Sequence, residues 1–140
     1  MRYSVRGSIG ENDFLLYSNC TGSECSLLNG SEHHVPVCPN ADCEIGLQVD
    51  VDRSSAEDDL SATGPNGEIL KEQIWVNFYS TRGDFTSALR LINDAVEGWN
   101  DDNATKFKVP AEAGPVHLWA VVHDNRGGVE WREAEIIVDN

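Results

Sequence analysis

Basic residues are scarce in this chain, and their scarcity excludes several kinds of partner. The 140 residues include 10 lysines and arginines against 24 aspartates and glutamates, so the formal net charge at pH 7 is −14. A charge of this size repels the phosphates of nucleic acids and of anionic lipids at long range. We therefore expect no nucleic-acid partner.

Long apolar runs and the common motifs of enzymes are also missing. The sequence has no apolar run of about 18 residues, the length a membrane helix needs, so it predicts no membrane span. It has no G-x-S-x-G elbow, no H-E-x-x-H pair and no glycine-rich phosphate loop. His117 and His123 are the candidate bases, but no nucleophile lies in a recognisable context beside them. We therefore expect a protein that is not an enzyme.

The four cysteines all lie in one short region, at Cys20, Cys25, Cys38 and Cys43. An even number of cysteines in a small acidic chain favours disulfides and an oxidising compartment, which means an extracellular, cell-surface or periplasmic location. The pairing is either local, Cys20–Cys25 with Cys38–Cys43, or nested, Cys20–Cys43 with Cys25–Cys38. Zinc is an alternative because two CxxxxC pairs flank a His-His dipeptide, although structural zinc sites more often have two residues within each pair. Reduced thiols are the third alternative.

The last third of the chain, residues 107–138, has the pattern of a β-hairpin. Aliphatic residues occupy every second position on both sides of the turn sequence Asp-Asn-Arg-Gly-Gly at 124–128. These positions are Val116, Leu118, Ala120 and Val122 before the turn, and Ala134, Ile136 and Val138 after it. Successive side chains of a strand point to opposite sides, and Asn and Gly tolerate the positive φ values of a tight turn. The pattern therefore predicts two long antiparallel strands with one aliphatic face.

The rest of the chain divides at residue 43. Residues 1–43 show little periodicity apart from a candidate strand at 13–18, and we expect an irregular N-terminal extension held by its two cysteine pairs. Residues 44–140 contain short alternating segments with turn residues between them, which predicts an all-β antiparallel sandwich. The predicted strands are 45–52, 70–80 and 104–110, followed by the hairpin at 115–138. Residues 86–94 are also predicted to form a strand, with a short helix as the alternative. The acidic segment 53–68 is predicted to be a loop, and the Arg-Gly-Asp tripeptide at 82–84 a turn.

Three segments of the region 44–140 resemble a known family. LQVDVDRSSAEDDL resembles the second strand and acidic loop, IWVNFYSTRGDF the third strand, and AGPVHLWAVVHDNRGGVEWREAEIIV the final hairpin of immunoglobulin-like domains of the polycystic-kidney-disease (PKD) type. The resemblance implies an Ig-like, PKD-like β-sandwich that serves as a non-catalytic module of secreted or surface proteins, such as bacterial lipoproteins. The family's Trp-Asp-Phe-Gly-Asp-Gly turn is replaced here by FYSTRGD, and residues 1–43 have no counterpart in it.

An aromatic outer face is the main candidate site. In this type of sandwich the third strand pairs with the last two, so residues that alternate with the inward aliphatics share one outer face. The predicted members are Trp75, Asn77, Tyr79, His117, Trp119, His123 and Trp131, with Glu133 beside them. Another part of the chain, such as residues 14–17, could cover this face. Otherwise we expect a protein–protein contact or self-assembly there or at a sheet edge. A polysaccharide is the alternative ligand, in a carbohydrate-binding accessory module, because flat rings beside polar groups suit a sugar.

An acidic cluster is the second candidate site. Its members are Asp50, Asp52, Glu57, Asp58 and Asp59, which lie within ten residues. Clustered carboxylates bind calcium because a hard cation takes several oxygen ligands. The spacing does not match an EF-hand loop, and a solvated acidic turn is the more common outcome. A calcium-stabilised adhesion-type domain is therefore a further alternative function; without calcium at this cluster, we expect no cofactor.

Overall fold

The computed structural model describes residues 2–9, 12–21, 33–36, 44–51, 53, 56–100 and 102–139. Within these residues the chain is all-β and contains no α-helix. In chain order the strands are β1 (Arg2–Ile9), β2 (Asn12–Thr21), β3 (His33–Pro36), β4 (Glu44–Val51), β5 (Asp58–Thr63), β6 (Ile69–Lys71), β7 (Ile74–Ser80), β8 (Asp84–Phe85), β9 (Leu89–Asp94), β10 (Gly98–Trp99), β11 (Thr105–Lys108), β12 (Gly114–Asp124) and β13 (Val129–Asp139). A helix of the length and apolar character needed to cross a membrane is not found in the described part of the chain.

The described strands form two larger sheets and one small one. The first sheet has the order β1-β2-β4-β11-β8, and all its neighbours are antiparallel. The second has the order β10-β9-β7-β12-β13-β3, in which the pair of β13 and β3 is parallel and the other pairs are antiparallel. Strands β5 and β6 form a separate antiparallel pair. These sheets are compatible with the predicted β-sandwich.

The two larger sheets share one hydrophobic core. Its buried members are Val35, Ile45, Leu47, Val49, Val51, Ile74, Val76, Phe78, Ile92, Phe107, Val116, Leu118, Ala120, Ile136 and Val138. Buried residues alternate with more exposed ones along β7 and along most of β12, as a half-buried strand requires. The predicted aliphatic stripe is therefore confirmed for the described side chains, with Val122 partly buried at its end. The side chain of Ala134 lies outside the described residues.

The turn between β12 and β13 is built around one aspartate. Asp124 Oδ1 accepts hydrogen bonds from the backbone N–H groups of Arg126 and Gly128, each at 2.8 Å. The backbone N–H of Asp124 donates to the carbonyl of Gly128 at 3.0 Å. Gly127 has a φ of 92°, a backbone angle that residues other than glycine rarely adopt. The predicted hairpin is thus confirmed, and its turn sequence has a physical reason at each of these positions.

Strands that precede residue 43 pair with strands that follow it. Strand β2 contains the predicted strand 13–18 and is antiparallel to β4, with Leu16 opposite Val49. Strand β3 is parallel to β13, and its Val35 is fully buried in the core. The sequence did not predict β3, because a strand of four residues is too short to show an alternating pattern. The domain division at residue 43 stays a prediction.

The loop predicted over 53–68 is wrong for part of its length, because residues 58–63 form β5 and pair with β6. The two strands are joined by a turn in which the N–H of Gly67 donates to the carbonyl of Gly64 at 3.0 Å. Two apolar residues of these strands, Leu60 and Ile69, are 80% and 55% exposed. The alternation of Leu60 and Ala62 is too short to distinguish a strand from a loop, so this hairpin could not be recognised from hydrophobicity.

Candidate functional site

The predicted aromatic residues lie on the outer side of the second sheet. Strand β12 lies between β7 and β13, so side chains from three strands meet on one surface. We call this surface the aromatic face; its members are Trp75, Asn77 and Tyr79 of β7, His117, Trp119, Val121 and His123 of β12, and Val129, Trp131, Glu133 and Glu135 of β13. The predicted alternation along β7 and β12 and the predicted pairing of the three strands are both confirmed.

Strand register determines which members of the aromatic face are neighbours. Trp119 is directly opposite Tyr79 on one side and Glu133 on the other. In the next row, Val121 is opposite Trp131. Diagonal neighbours on adjacent strands are about 7–8 Å apart, which long and aromatic side chains can span. Trp119 and Trp131 are therefore parts of one continuous surface.

Each histidine of the aromatic face packs against a tryptophan. The rings of His123 and Trp75 are stacked, with centroids 5.3 Å apart and planes inclined by 13°. The rings of His117 and Trp119 have centroids 4.4 Å apart and planes inclined by 38°. His117 Nε2 is also 3.2 Å from Glu133 Oε2. The imidazole of His117 thus lies between an indole ring and a carboxylate.

The aromatic face is open to solvent on two of its strands. Tyr79 and Trp131 are 50% and 56% exposed, whereas Trp75 and Trp119 are half-buried among their neighbours. The segment considered as a cover, residues 14–17, belongs to β2, which is a strand of the other sheet. The described part of the chain therefore leaves these two rings accessible.

The described residues of the acidic cluster contact other groups. Asp58 Oδ1 is 2.8 Å from Lys71 Nζ across the β5–β6 pair. Asp59 Oδ1 accepts hydrogen bonds from the hydroxyl of Ser61 at 2.5 Å and from its backbone N–H at 3.1 Å. These hydrogen bonds lower the pKa of Asp59 because they stabilise the ionised carboxylate. Glu57 is exposed, and its Oε2 is 3.9 Å from Nη1 of Arg126, which lies in the turn between β12 and β13.

Other predicted site residues lie outside the described residues. They are the side chains of Asp50 and Asp52 in the acidic cluster and those of Cys20, Cys25, Cys38 and Cys43. Within the part of the chain that is described, no group of three or more potential metal ligands comes together. The calcium site, the disulfides and the zinc alternative stay predictions.

An ion pair with one buried partner joins the turn between β12 and β13 to the residue that follows β6, and the sequence did not predict it. The Glu72 side chain, between β6 and β7, is only 6% exposed, and its Oε1 accepts a hydrogen bond from Arg126 Nη1 at 3.0 Å. Burial raises the pKa of Glu72 and the nearby Asp124 carboxylate raises it further, while Arg126 opposes both. The available signal was a charged residue, Glu72, shortly before the apolar run that begins at Ile74. Its partner, Arg126, is 54 residues away in the sequence.

Of the Arg-Gly-Asp tripeptide that was predicted to be a turn, Arg82 and Gly83 lie in the bend between β7 and β8, and Asp84 is the first residue of β8. Arg82 donates hydrogen bonds to the carbonyl oxygens of Pro115, at 3.3 Å, and Glu112, at 3.2 Å. Gly83 has a φ of 82°, and a Cβ there would lie 2.5 Å from the Phe107 ring. The guanidinium therefore holds the start of β12 in place, and the turn is specified by packing.

No protein-family model matches this chain, and neither a curated protein nor a solved structure matches it. Since a fold does not determine a function, the function has to be argued from the site itself.

Proposed function

We propose that this chain is a non-catalytic interaction module of extracellular or cell-surface proteins, and that its aromatic face binds a protein partner. The observation that carries this proposal is the exposure of Tyr79 and Trp131 on a paired sheet, beside Trp119 and Trp75. Tryptophan and tyrosine are enriched among the residues that dominate binding energy at protein interfaces. Strand pairing fixes the backbone beneath these rings, so little conformational entropy is lost when a partner docks.

The strand order supports an Ig-like, PKD-like fold for the module. In Ig sandwiches the second strand pairs with the fifth in one sheet, and the third pairs with the last two in the other. Here β4 pairs with β11, and β7 lies beside the hairpin of β12 and β13. The predicted disulfides and the acidic composition support an extracellular or surface location, the periplasm included.

Charge favours a different protein over a second copy of this chain as the partner. Each copy has a formal charge of −14, so two copies repel each other. Two aromatic faces in contact would also bring the exposed carboxylates of Glu133 and Glu135 close to those of the other copy. We therefore expect the isolated chain to stay monomeric, which sedimentation velocity over a range of concentrations would test.

Selection from a displayed peptide library tests the proposed contact. The chain is immobilised, peptides that bind it are enriched, and each is then measured against Trp131→Ala and Tyr79→Ala. Both side chains are half-exposed, so their removal should leave the core intact, which a thermal unfolding curve would verify. We expect the enriched peptides to bind both variants more weakly, by about fivefold or more, because aromatic anchors carry much of the binding energy.

Leu60→Ala is the matched control for this selection. Leu60 is 80% exposed and lies on the separate β5–β6 pair. The substitution therefore removes an exposed apolar side chain that is not part of the aromatic face. Peptide binding should be unchanged in this variant. Enriched peptides that bind wild type and both face variants equally well would refute the proposed contact surface.

A carbohydrate-binding accessory module is the second candidate, and one observation favours it. The indole of Trp119 lies beside the hydrogen-bonded pair of His117 and Glu133, which offers a flat apolar ring next to polar groups. Sugars require this combination for their apolar faces and hydroxyls. Polysaccharides that quench tryptophan fluorescence in wild type but not in Trp119→Ala would establish this function. Absence of quenching across a broad polysaccharide panel would remove it.

A further inference from the structure

We infer that the partner contacts the aromatic face with arginine or lysine side chains, which lie over its indole rings and beside Glu133 and Glu135. This inference rests on the proposed function, because it specifies the chemistry of the protein that the face binds. It is drawn from the charges on the face, from contacts within the chain itself, and from the cost of removing water from carboxylates.

The aromatic face carries two carboxylates, Glu133 and Glu135, and two histidines, His117 and His123. The face contains no lysine or arginine. The residues beside it on β9, Leu89 and Leu91, are apolar. Glu133 lies two residues from Trp131 on the same side of β13 and is directly opposite Trp119. A cation above these rings would therefore meet an aromatic surface and a carboxylate together, and both attract it.

The chain already makes this kind of contact with its own side chains. The guanidinium of Arg53 lies 5.7 Å from the centroid of the Trp99 ring. On the aromatic face, the imidazole of His117 lies over Trp119 and beside Glu133. The imidazole of His123 is stacked on Trp75 as well, so planar nitrogen groups pack on three tryptophans of the described residues. A guanidinium from a partner has the same planar shape and a permanent positive charge.

A cationic partner also avoids an energetic penalty that an apolar partner would incur. A purely apolar surface docked on the aromatic face would remove water from Glu133 and Glu135 without replacing their hydrogen bonds. Arginine and lysine supply those hydrogen bonds from their charged ends. Their aliphatic stems can pack on Val121 and Val129 at the same time. An acidic partner would be repelled by the same carboxylates.

Two matched peptides test the inference. The first is a short capped peptide with alternating leucine and arginine, and in the second every arginine is replaced by citrulline, which keeps the shape but removes the charge. Binding to wild type is measured by tryptophan fluorescence at low ionic strength. We expect the arginine peptide to bind at least about fivefold more tightly, and added salt to weaken it, because the attraction is electrostatic.

Variants separate this site from general attraction to an acidic protein. Trp131→Ala and Glu133→Gln should each weaken binding of the arginine peptide by about two- to fivefold. Glu68→Gln is the control: it removes the same charge from the exposed turn before β6, and glutamine can still accept the hydrogen bond from the N–H of Asn66. Binding to Glu68→Gln should equal binding to wild type.

The outcomes distinguish this inference from the proposed function. Equal affinity for the two peptides, or no binding of either, overturns the inference, as does binding that Trp131→Ala and Glu133→Gln leave unchanged. The proposed function fails separately, in the library selection, when enriched peptides do not depend on Trp131 or Tyr79. Enriched peptides that depend on these rings but lack arginine and lysine would leave the protein-binding face standing and overturn its cationic specificity.

Discussion

The hairpin of β12 and β13, the long hairpin, and the hairpin of β5 and β6, the short hairpin, have different sources of stability. In the long hairpin, β12 and β13 each have eleven residues and bury an aliphatic stripe against the other sheet. In the short hairpin, β5 and β6 expose Leu60 and Ile69 and are held by backbone pairing and by polar contacts such as Asp58 with Lys71. Burial of apolar side chains therefore stabilises one hairpin, and local polar contacts the other.

The long hairpin also holds the short one in place. Arg126, in the turn of the long hairpin, donates to Glu72, which follows β6, and its Nη1 is 3.9 Å from Glu57 Oε2, which precedes β5. The backbone N–H of Glu72 donates to the carbonyl of Glu57 at 2.8 Å and closes the base of the short hairpin. We call this contact of Arg126 with Glu72 and Glu57 the guanidinium clip. Loss of the clip should release the short hairpin without unfolding the long one.

Truncation of one leucine in each hairpin should give the largest difference. Leu118 is 2% exposed in the core, so Leu118→Ala should lower the free energy of unfolding by about 2–5 kcal/mol, since it removes buried methyl groups and leaves a cavity. Leu60→Ala should change it by less than about 0.5 kcal/mol, because that side chain is already in water. Urea denaturation of both variants measures the contrast. Similar losses in the two variants would mean that the short hairpin belongs to the core.

Removal of the guanidinium clip should have the next largest effect. Arg126→Met leaves the Glu72 carboxylate buried without its charged partner, which should cost about 1–3 kcal/mol. We expect the lower part of this range, because the Arg126 side chain is 51% exposed and water screens the pair. Amide hydrogen exchange should accelerate mainly in β5 and β6.

Arg126→Lys is the control for the clip, since it keeps the positive charge near Glu72. It should recover part of the lost stability. Exchange that accelerates equally in β12 and β13 after Arg126→Met would show that the clip stabilises the whole sheet, and the distinction between the two hairpins would then fail.

The contrast between the hairpins also explains what the sequence could predict about the fold. Strands that bury one face, such as β7 and β12, leave an alternating pattern, and residues such as Val76 and Leu118 were placed correctly. Strand β5 was missed because its pairing needs no apolar side chain, and β3 because a strand of four residues is too short to show an alternating pattern. Hydrophobic periodicity thus reports burial and is silent on backbone pairing.

The same reasoning applies to the candidate site. The aromatic face was predictable because alternation places Trp75 and Trp119 opposite the buried residues of their strands. The stacking of His123 on Trp75 depends on the register of β7 and β12, which no single-strand pattern contains. The Glu72–Arg126 pair was missed for a similar reason, since the long separation in sequence is closed by tertiary folding alone.

Substitution of one turn glycine in each hairpin should distinguish local opening of the short hairpin from global unfolding. Gly127 and Gly67 have similar positive φ values of 92° and 81°, and a Cβ would meet nothing within 4 Å at either position. Alanine should therefore cost about 1–2 kcal/mol of backbone strain at each site. Gly127→Ala should lower the free energy of global unfolding by this amount, whereas Gly67→Ala should mainly raise hydrogen exchange in β5 and β6. Equal shifts in melting temperature would contradict the proposed independence of the short hairpin.

The smallest expected effect is the pH dependence contributed by two carboxylates, and it differs in sign between them. The folded-state pKa of Glu72 is raised by burial and by Asp124, so its stabilising contribution is fully present below the unfolded value of about 4.3 and is lost as pH rises through the folded pKa. The folded-state pKa of Asp59 is lowered by its hydrogen bonds with Ser61. Its contribution is therefore present above the unfolded value of about 3.9 and is lost as pH falls through the folded pKa.

Urea denaturation of Glu72→Gln and Asp59→Asn between acidic and neutral pH measures both contributions. Relative to wild type, Glu72→Gln should become more stable as pH rises above about 4.3, because the variant has no buried carboxyl group to ionise. Asp59→Asn should become less stable relative to wild type over the rise through the acidic range, because it lacks the carboxylate that Ser61 stabilises. Opposite slopes would show that two carboxyl groups near the base of the short hairpin have different environments, with burial dominant at Glu72 and hydrogen bonding dominant at Asp59. Parallel slopes would mean that the guanidinium of Arg126 outweighs burial at Glu72.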